Sequence, residues 1–140
     1  EQLFVMQMDE FMKRRYDFRF NQLTSQVECR ERNSFNFYFH PVDKRLMASI
    51  AMNAHYEGLK LWDKDVVRYL NSDHVPVYQP IEEFLYDLPH WDGKDHIGDL
   101  AKRVPCDHPH WAQLFRRWFL SMIAHWRGMG KNQQIALPLY

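Results

Sequence analysis

The sequence predicts an α+β fold that is mostly α. An N-terminal helix and a β-hairpin or small antiparallel sheet, with a winged-helix-like helix pair, precede a helical region. Three observations carry this reading. Apolar residues alternate with a period of two only between Tyr16 and Phe39. From about residue 43 onward they recur three and four apart, the spacing of a helix face. Proline, glycine and short polar runs fall between those segments and mark their ends. The expected division is 1–75 for the helix, hairpin and helix–turn–helix-like unit, and 76–140 for the helical region.

The first element is a helix through Leu3, Val5, Met6, Met8, Phe11 and Met12, whose apolar positions are too dense for a clean face. Lys13, Arg14 and Arg15 suit its C-terminus, where cations meet the negative end of the helix dipole. Tyr16, Phe18 and Phe20 then alternate with Asp17 and Arg19. Asn21 to Ser25 is a polar turn, and Val27 and Cys29 alternate with Glu28 and Arg30. That is a hairpin with one apolar and one charged face. Phe35, Phe37 and Phe39 continue the alternation as a candidate third strand, ended by Pro41.

A helix follows from Val42 or Asp43 to about Tyr56, with Leu46, Met47, Ile50 and Ala54 on one face and Gly58 at the stop. Asp63 is the expected N-cap of a short helix carrying Val66, Val67 and Leu70. Asn71 to Pro80 reads as a connector, Ile81 to Leu88 as a short acidic helix, and Trp91 to Lys94 as a turn. His96 to Arg103 adds one or two helical turns. The strongest helix comes last. Behind Pro109, Trp111, Leu114, Phe115, Trp118, Phe119, Met122, Ile123 and Trp126 form one wide apolar stripe, stopped by Gly128 and Gly130. Ile135 to Tyr140 reads as an apolar strand lacking its partner, as expected of a segment of a larger protein.

Composition narrows the class. Of the 140 residues, 46% are hydrophobic and 16% aromatic, enough for a real core and against disorder. No apolar run approaches the roughly 20 residues of a membrane span, and residues 1–10 lack the basic start of a signal peptide. Two distant cysteines, Cys29 and Cys106, fit reduced thiols, so a cytoplasmic location without membrane contact is expected. Net charge is zero but segregated. Residues 13–45 hold eight basic against four acidic side chains, residues 61–110 five against ten, and residues 111–140 four against none. Such blocks are either solvated surface or the footprint of a polyanion.

Most catalytic patterns are missing from the sequence. Cys106, His108 and His110 alternate near His90 and His96, but without C-x-x-C or a second ligand pair they read as a histidine-rich loop rather than a zinc site. No serine sits in a nucleophile elbow, and the carboxylates of 82–99 form no recognisable pair. Neither G-x-x-x-x-G-K-[ST] nor G-x-G-x-x-G occurs; Gly128-Met129-Gly130-Lys131 follows a helix, the wrong context for a phosphate loop. No catalytic, metal or cofactor-binding residue is therefore assigned, and an enzyme is not expected. In the helix–turn–helix-like pair, the second helix would open on Asp63, Lys64 and Asp65, poor neighbours for DNA. The DNA-contact candidates are instead Arg14, Arg15, Arg19, Arg30, Arg32, Lys44 and Arg45, with Tyr16 and Phe20 interleaved. Those aromatics either stack bases or form the hairpin's buried face.

Several strings together resemble the virulence-associated protein E family, in the form found on Bacteroides-type mobile elements. They are Tyr16 to Asn21 with Val27 and Arg30, Asp65 to Asp73 with Val75 and Pro76, and Pro80-Ile81 with Phe84, Leu85, Leu88 and Pro89. The Trp91-Asp92-Gly93-Lys94 turn and Trp111 to Met122 complete the series. The likeness spans roughly residues 14–140, and the Trp-Asp-Gly turn is its most specific piece. It implies a primase–helicase-like replication protein in which a P-loop ATPase domain, using ATP and Mg, follows the segment seen here. It further implies a non-catalytic accessory role, contacting DNA or coupling to the ATPase domain of the same parent chain. A protein–protein or homo-oligomerisation module without DNA contact is the alternative.

Overall fold

A computed structural model of the chain describes residues 1–128. The expected strand Ile135–Tyr140, together with Gly130 and Lys131, lies outside the described residues. The fold is α+β and mostly helical, in the order α1 (Gln2–Arg15), β1 (Tyr16–Asn21), β2 (Gln26–Glu31), β3 (His40–Pro41), α2 (Lys44–Tyr56), α3 (Asp63–Leu70), β4 (Val77–Tyr78), α4 (Pro80–Tyr86), α5 (His96–Lys102) and α6 (Trp111–Trp126). It divides into two units, Glu1–Pro80 and Ile81–Tyr140. Among the described residues, no helix is long and apolar enough to cross a membrane.

The first unit is built around the hairpin. β1 and β2 pair antiparallel, Tyr16 opposite Glu31 through Asn21 opposite Gln26. Because side chains alternate, Tyr16, Phe18, Phe20, Val27 and Cys29 share one face, and Asp17, Arg19, Glu28 and Arg30 the other. Asn21 shapes the turn: its side-chain oxygen accepts from the Leu23 and Thr24 N–H groups at 3.0 and 3.2 Å. Ser25 takes the left-handed conformation that closes it, at φ 57°. The apolar face rests on α1 through Met8, Phe11 and Met12, on α2 through Ile50, Ala51 and Ala54, and on Leu61, Val66, Tyr69, Leu70 and Val75.

Two helix ends follow local chemistry. Asp43 caps α2, its carboxylate accepting from the Leu46 N–H at 2.7 Å. At the other end Gly58, at φ 81°, donates to the His55 carbonyl at 2.9 Å while Leu59 donates to Ala54 at 2.9 Å. This paired arrangement satisfies the last carbonyls of α2 and needs the left-handed backbone that glycine takes without strain. Asp9 ties α1 to α3: it receives Tyr69 O–H at 3.2 Å and Lys13 Nζ at 2.8 Å, and lies 3.0 Å from His74 Nδ1.

The structure corrects three expectations. Phe35, Phe37 and Phe39 form no strand; the third strand is the two-residue β3, pairing Glu28 with Pro41 and Cys29 with His40. The 71–80 connector contains β4, which adds to β1 in parallel, Phe20 opposite Val77, giving the sheet order β3-β2-β1-β4. Asp63 is not the cap of α3 but its first helical residue. Trp62 occupies the cap position, and buried Asp65 reaches back to accept the Trp62 N–H at 3.1 Å. An indole has no acceptor, so only this half of a capping box exists.

In the second unit, Trp111 Nε1–H donates to the Ala101 carbonyl at 2.9 Å and ties α6 to α5. Arg127 meets Glu82 at 3.0 Å, joining the end of α6 to α4.

Candidate nucleic-acid interface

The charged face of the hairpin carries Arg19 and Arg30, with Arg32 just beyond β2, three of the seven cations singled out by sequence, and there they meet acids. Arg19 Nε donates to Glu28 at 2.6 Å, and Asn21 Nδ2 donates to the same carboxylate at 2.9 Å. Arg30 and Arg32 share Asp17, at 2.9 and 2.8 Å. At the end of α1, Arg14 and Arg15 converge on Glu57, Arg15 at 2.7 Å, and Arg14 also donates to Glu10 at 2.9 Å. Lys44 and Arg45, both exposed, have no ion-pair partner among the described residues.

The acids answer in kind. Burial pushes the Glu28 carboxyl up, but the Asn21 and Arg19 hydrogen bonds outweigh it and hold it below the ordinary range. Asp17 behaves alike, burial being outweighed by the Arg30 and Arg32 guanidiniums. Glu57 is lowered by the Arg14 hydrogen bond first and by Arg15 besides. Hydrogen bonding and charge favour the ionised form in each case.

Two aromatic rings complete this face. The Arg19 guanidinium lies 4.0 Å from the Phe39 ring centre and 3.7 Å from that of Tyr78, and Arg30 lies 4.7 Å from Phe39. The result is a ladder of alternating rings and cations, Tyr78, Arg19, Phe39 and Arg30, that spans the sheet. Sequence reasoning missed Phe39 and Tyr78 as partners of Arg19. The available signal was that Arg19 and Arg30 share one face of the hairpin with nothing apolar beside them.

The aromatics expected to interleave with the cations point the other way. Tyr16 and Phe18 are buried and Phe20 packs on the core, so they form the apolar face of the hairpin. The Tyr16 hydroxyl oxygen accepts from Asn53 Nδ2 at 3.0 Å, a contact within the fold. The helix pair offers no reading head: Asp65 is spent on Trp62, and Asp63 stands exposed at the start of α3.

The Trp91-Asp92-Gly93-Lys94 turn is closed by its own side chains. Trp91 Nε1–H donates to the Lys94 carbonyl at 2.9 Å, Asp92 accepts from the Lys94 N–H at 3.0 Å, and Gly93 takes φ 81°. Asp92 also holds His96 Nε2 at 2.8 Å, and Asp95 caps α5 while pairing with Arg116. His108 and His110 stand with ring centres 6.0 Å apart. Among the described residues, no three His, Cys, Asp or Glu side chains gather to hold a metal.

Along α6 the rings of Trp111, Trp118 and Phe119 pack around Phe115, with centres 5.6, 5.6 and 6.2 Å away. Phe115 alone of that stripe is buried; Leu114 and Trp126 are exposed, and α4 buries nothing. Comparison with known proteins finds no matching family model, no matching curated protein and no matching solved structure.

Proposed function

We propose that this chain is a non-catalytic accessory segment of a cytoplasmic, mobile-element primase–helicase-like ATPase, and that it couples to the ATPase domain of the same parent chain. One observation carries the coupling role: of the apolar stripe of α6 only Phe115 is fully buried among the described residues, while Leu114 and Trp126 are exposed and the other members stay half-buried. A helix with so wide an apolar face gains its stability by burying that face, and the part left incompletely covered offers a docking surface. The ATPase domain is chosen as occupant from the motif strings that resemble the virulence-associated protein E family, the Trp91 to Lys94 turn foremost. ATP and Mg would belong to that domain, since this sequence holds no phosphate loop. Arg14, Arg15, Arg19 and Arg30 take a structural role here, because Glu57, Glu28 and Asp17 occupy them.

The test has two parts. The parent gene should spell G-x-x-x-x-G-K-[ST] downstream of Tyr140. The separately expressed downstream domain should then bind the purified chain in sedimentation velocity runs. The variant Leu114→Ser/Trp126→Ser should lose that binding while keeping its helical circular dichroism. A gene without the phosphate loop refutes the ATPase assignment. Self-association of the chain alone, abolished by the same double variant, would make α6 an oligomerisation face instead.

A further inference from the structure

Between β2 and β3 the chain runs Arg32-Asn33-Ser34-Phe35-Asn36-Phe37-Tyr38-Phe39-His40. Phe39 turns inward beneath Arg19 and Arg30. The other three aromatics do the opposite: Phe35 is 98% exposed, Tyr38 82% and Phe37 73%. Three neighbouring aromatic side chains held in water are costly, because each ring forgoes the burial that ordinarily stabilises it. A loop needs none of them for its own structure. This one is held instead by short polar contacts: Asn36 N–H donates to Ser34 Oγ at 3.0 Å, and Tyr38 N–H to Asn36 Oδ1 at 3.2 Å. Its two ends are anchored, Arg32 N–H on the Arg15 carbonyl at 2.9 Å and Phe39 under the guanidiniums. The rings are thus presented on a braced segment.

Charge selects what would cover them. Residues 32–42 contain Arg32 and His40 and no carboxylate; of the two acids that flank them, Glu31 and Asp43, Asp43 is engaged as the cap of α2, and Lys44 and Arg45 follow without ion partners among the described residues. Arg32 meets Asp17 through Nε alone, so its terminal amino groups have no acceptor among the described residues. Exposed π faces on a stretch of chain that is followed directly by two unpaired cations suit a ligand with flat unpaired rings on an anionic backbone. A duplex hides its base faces, whereas a single strand offers them.

We infer that single-stranded nucleic acid binds this loop, its bases stacking on Phe35, Phe37 and Tyr38 and its phosphates meeting Arg32, Lys44 and Arg45. The site lies in the first unit, involves none of the α6 stripe, and goes beyond the coupling role proposed above. It keeps Arg32, Lys44 and Arg45 as contacts and replaces Tyr16 and Phe20 by the loop aromatics.

The test is fluorescence anisotropy of a labelled thymidine 15-mer and of a duplex of equal length, titrated with the whole chain at low and moderate salt. The single strand should bind more tightly. Phe35→Ala/Phe37→Ala/Tyr38→Ala should weaken it by roughly a thousandfold, on the order of tenfold for each ring removed. Its salt dependence should stay the same. Arg32→Ala and Lys44→Ala/Arg45→Ala should instead flatten the salt dependence, since fewer neutralised phosphates release fewer counterions. Phe37→Trp should retain wild-type affinity. The three rings are exposed, so urea unfolding of the triple variant should match wild type. No binding at low salt, an unaltered affinity in the triple variant, or equal affinity for the duplex would each overturn the inference. Binding to anionic lipid vesicles without binding to the oligonucleotide would overturn it also.

Discussion

Replacing Arg19 by Met keeps the length of the side chain and removes its charge. The guanidinium it removes sits between Phe39 and Tyr78 and donates to Glu28, with the two charged side chains only 27% and 12% exposed. Each cation–ring contact at such a partly covered site is worth about 0.5–1 kcal/mol. A half-buried carboxylate that loses its charged donor costs about 1–2 kcal/mol more, Asn21 remaining as a single neutral donor. The sum is roughly 2–4 kcal/mol. For a domain of this size, with a urea dependence near 2 kcal/mol per M, the unfolding midpoint should fall by about 1–2 M. Glu28→Gln relieves the orphaned charge, so the pair Arg19→Met/Glu28→Gln should be less destabilised than the two single changes added together, by about 1 kcal/mol. Chemical denaturation of the four proteins followed at 222 nm gives every leg of this cycle. A midpoint shift below about 0.3 M in Arg19→Met would refute the account, because the ladder would then hold nothing together. Unchanged stability combined with lost oligonucleotide affinity would return Arg19 to the set of nucleic-acid contacts.

Asp65→Ala removes the acceptor for the Trp62 N–H and should lower stability by about 1 kcal/mol in the same assay, whereas Asp63→Ala should change it by less than about 0.5 kcal/mol. Burial pushes the Cys29 thiol up to about 12 and closes it from solvent, while Cys106 is exposed. Titration with a thiol reagent at pH 8 should find one fast cysteine in native protein, and the second only in urea. Asp17, Glu28 and Glu57 hold their protons less tightly folded than unfolded. Their contribution is complete above the ordinary carboxylate values of 3.8 and 4.5 and is lost as pH falls through the lower folded values. The urea midpoint should therefore hold from pH 7 to about 5 and drop below pH 4, a drop shared by Arg19→Met only in part.

The hairpin was legible because its alternation is local: Tyr16, Phe18 and Phe20 against Asp17 and Arg19 name both faces without reference to the remaining chain. The same rule failed at Phe35, Phe37 and Phe39. Their spacing is equally strict, but only Phe39 finds a neighbour across the sheet, and the Asn and Ser side chains between them bind their own backbone instead. β4 was not legible. The two residues of β4, Val77 and Tyr78, carry no period, and the pairing that makes them a strand comes from β1, far away along the chain. The cap of α3 moved by one residue because Asp63 and Asp65 both suit a first turn, and only tertiary packing buries one of them. The candidate contacts fared unevenly for one reason. Sequence locates cations but not their counter-ions, and Glu57 and Glu28 neutralise Arg14, Arg15 and Arg19 only once the chain has folded.

The outer strands of the sheet are two residues each, and both are fenced by imino acids: Pro41 within β3, and Pro76 and Pro80 on either side of β4. A strand that short, lacking amide donors at its margins, gives an incoming chain almost no template to extend. The long central ribbon, by contrast, is six residues on each side and carries Tyr16, Phe18, Phe20 and Val27 on one face. Phe20 and Gln22 place their N–H groups on the Pro76 and Tyr78 carbonyls, at 2.8 and 3.0 Å. Cutting the chain ahead of Pro76 would release those donors and turn β1 into an open margin. Such a truncated protein should gather into thioflavin-positive aggregates, so the small fourth strand works as a seal against self-templated assembly.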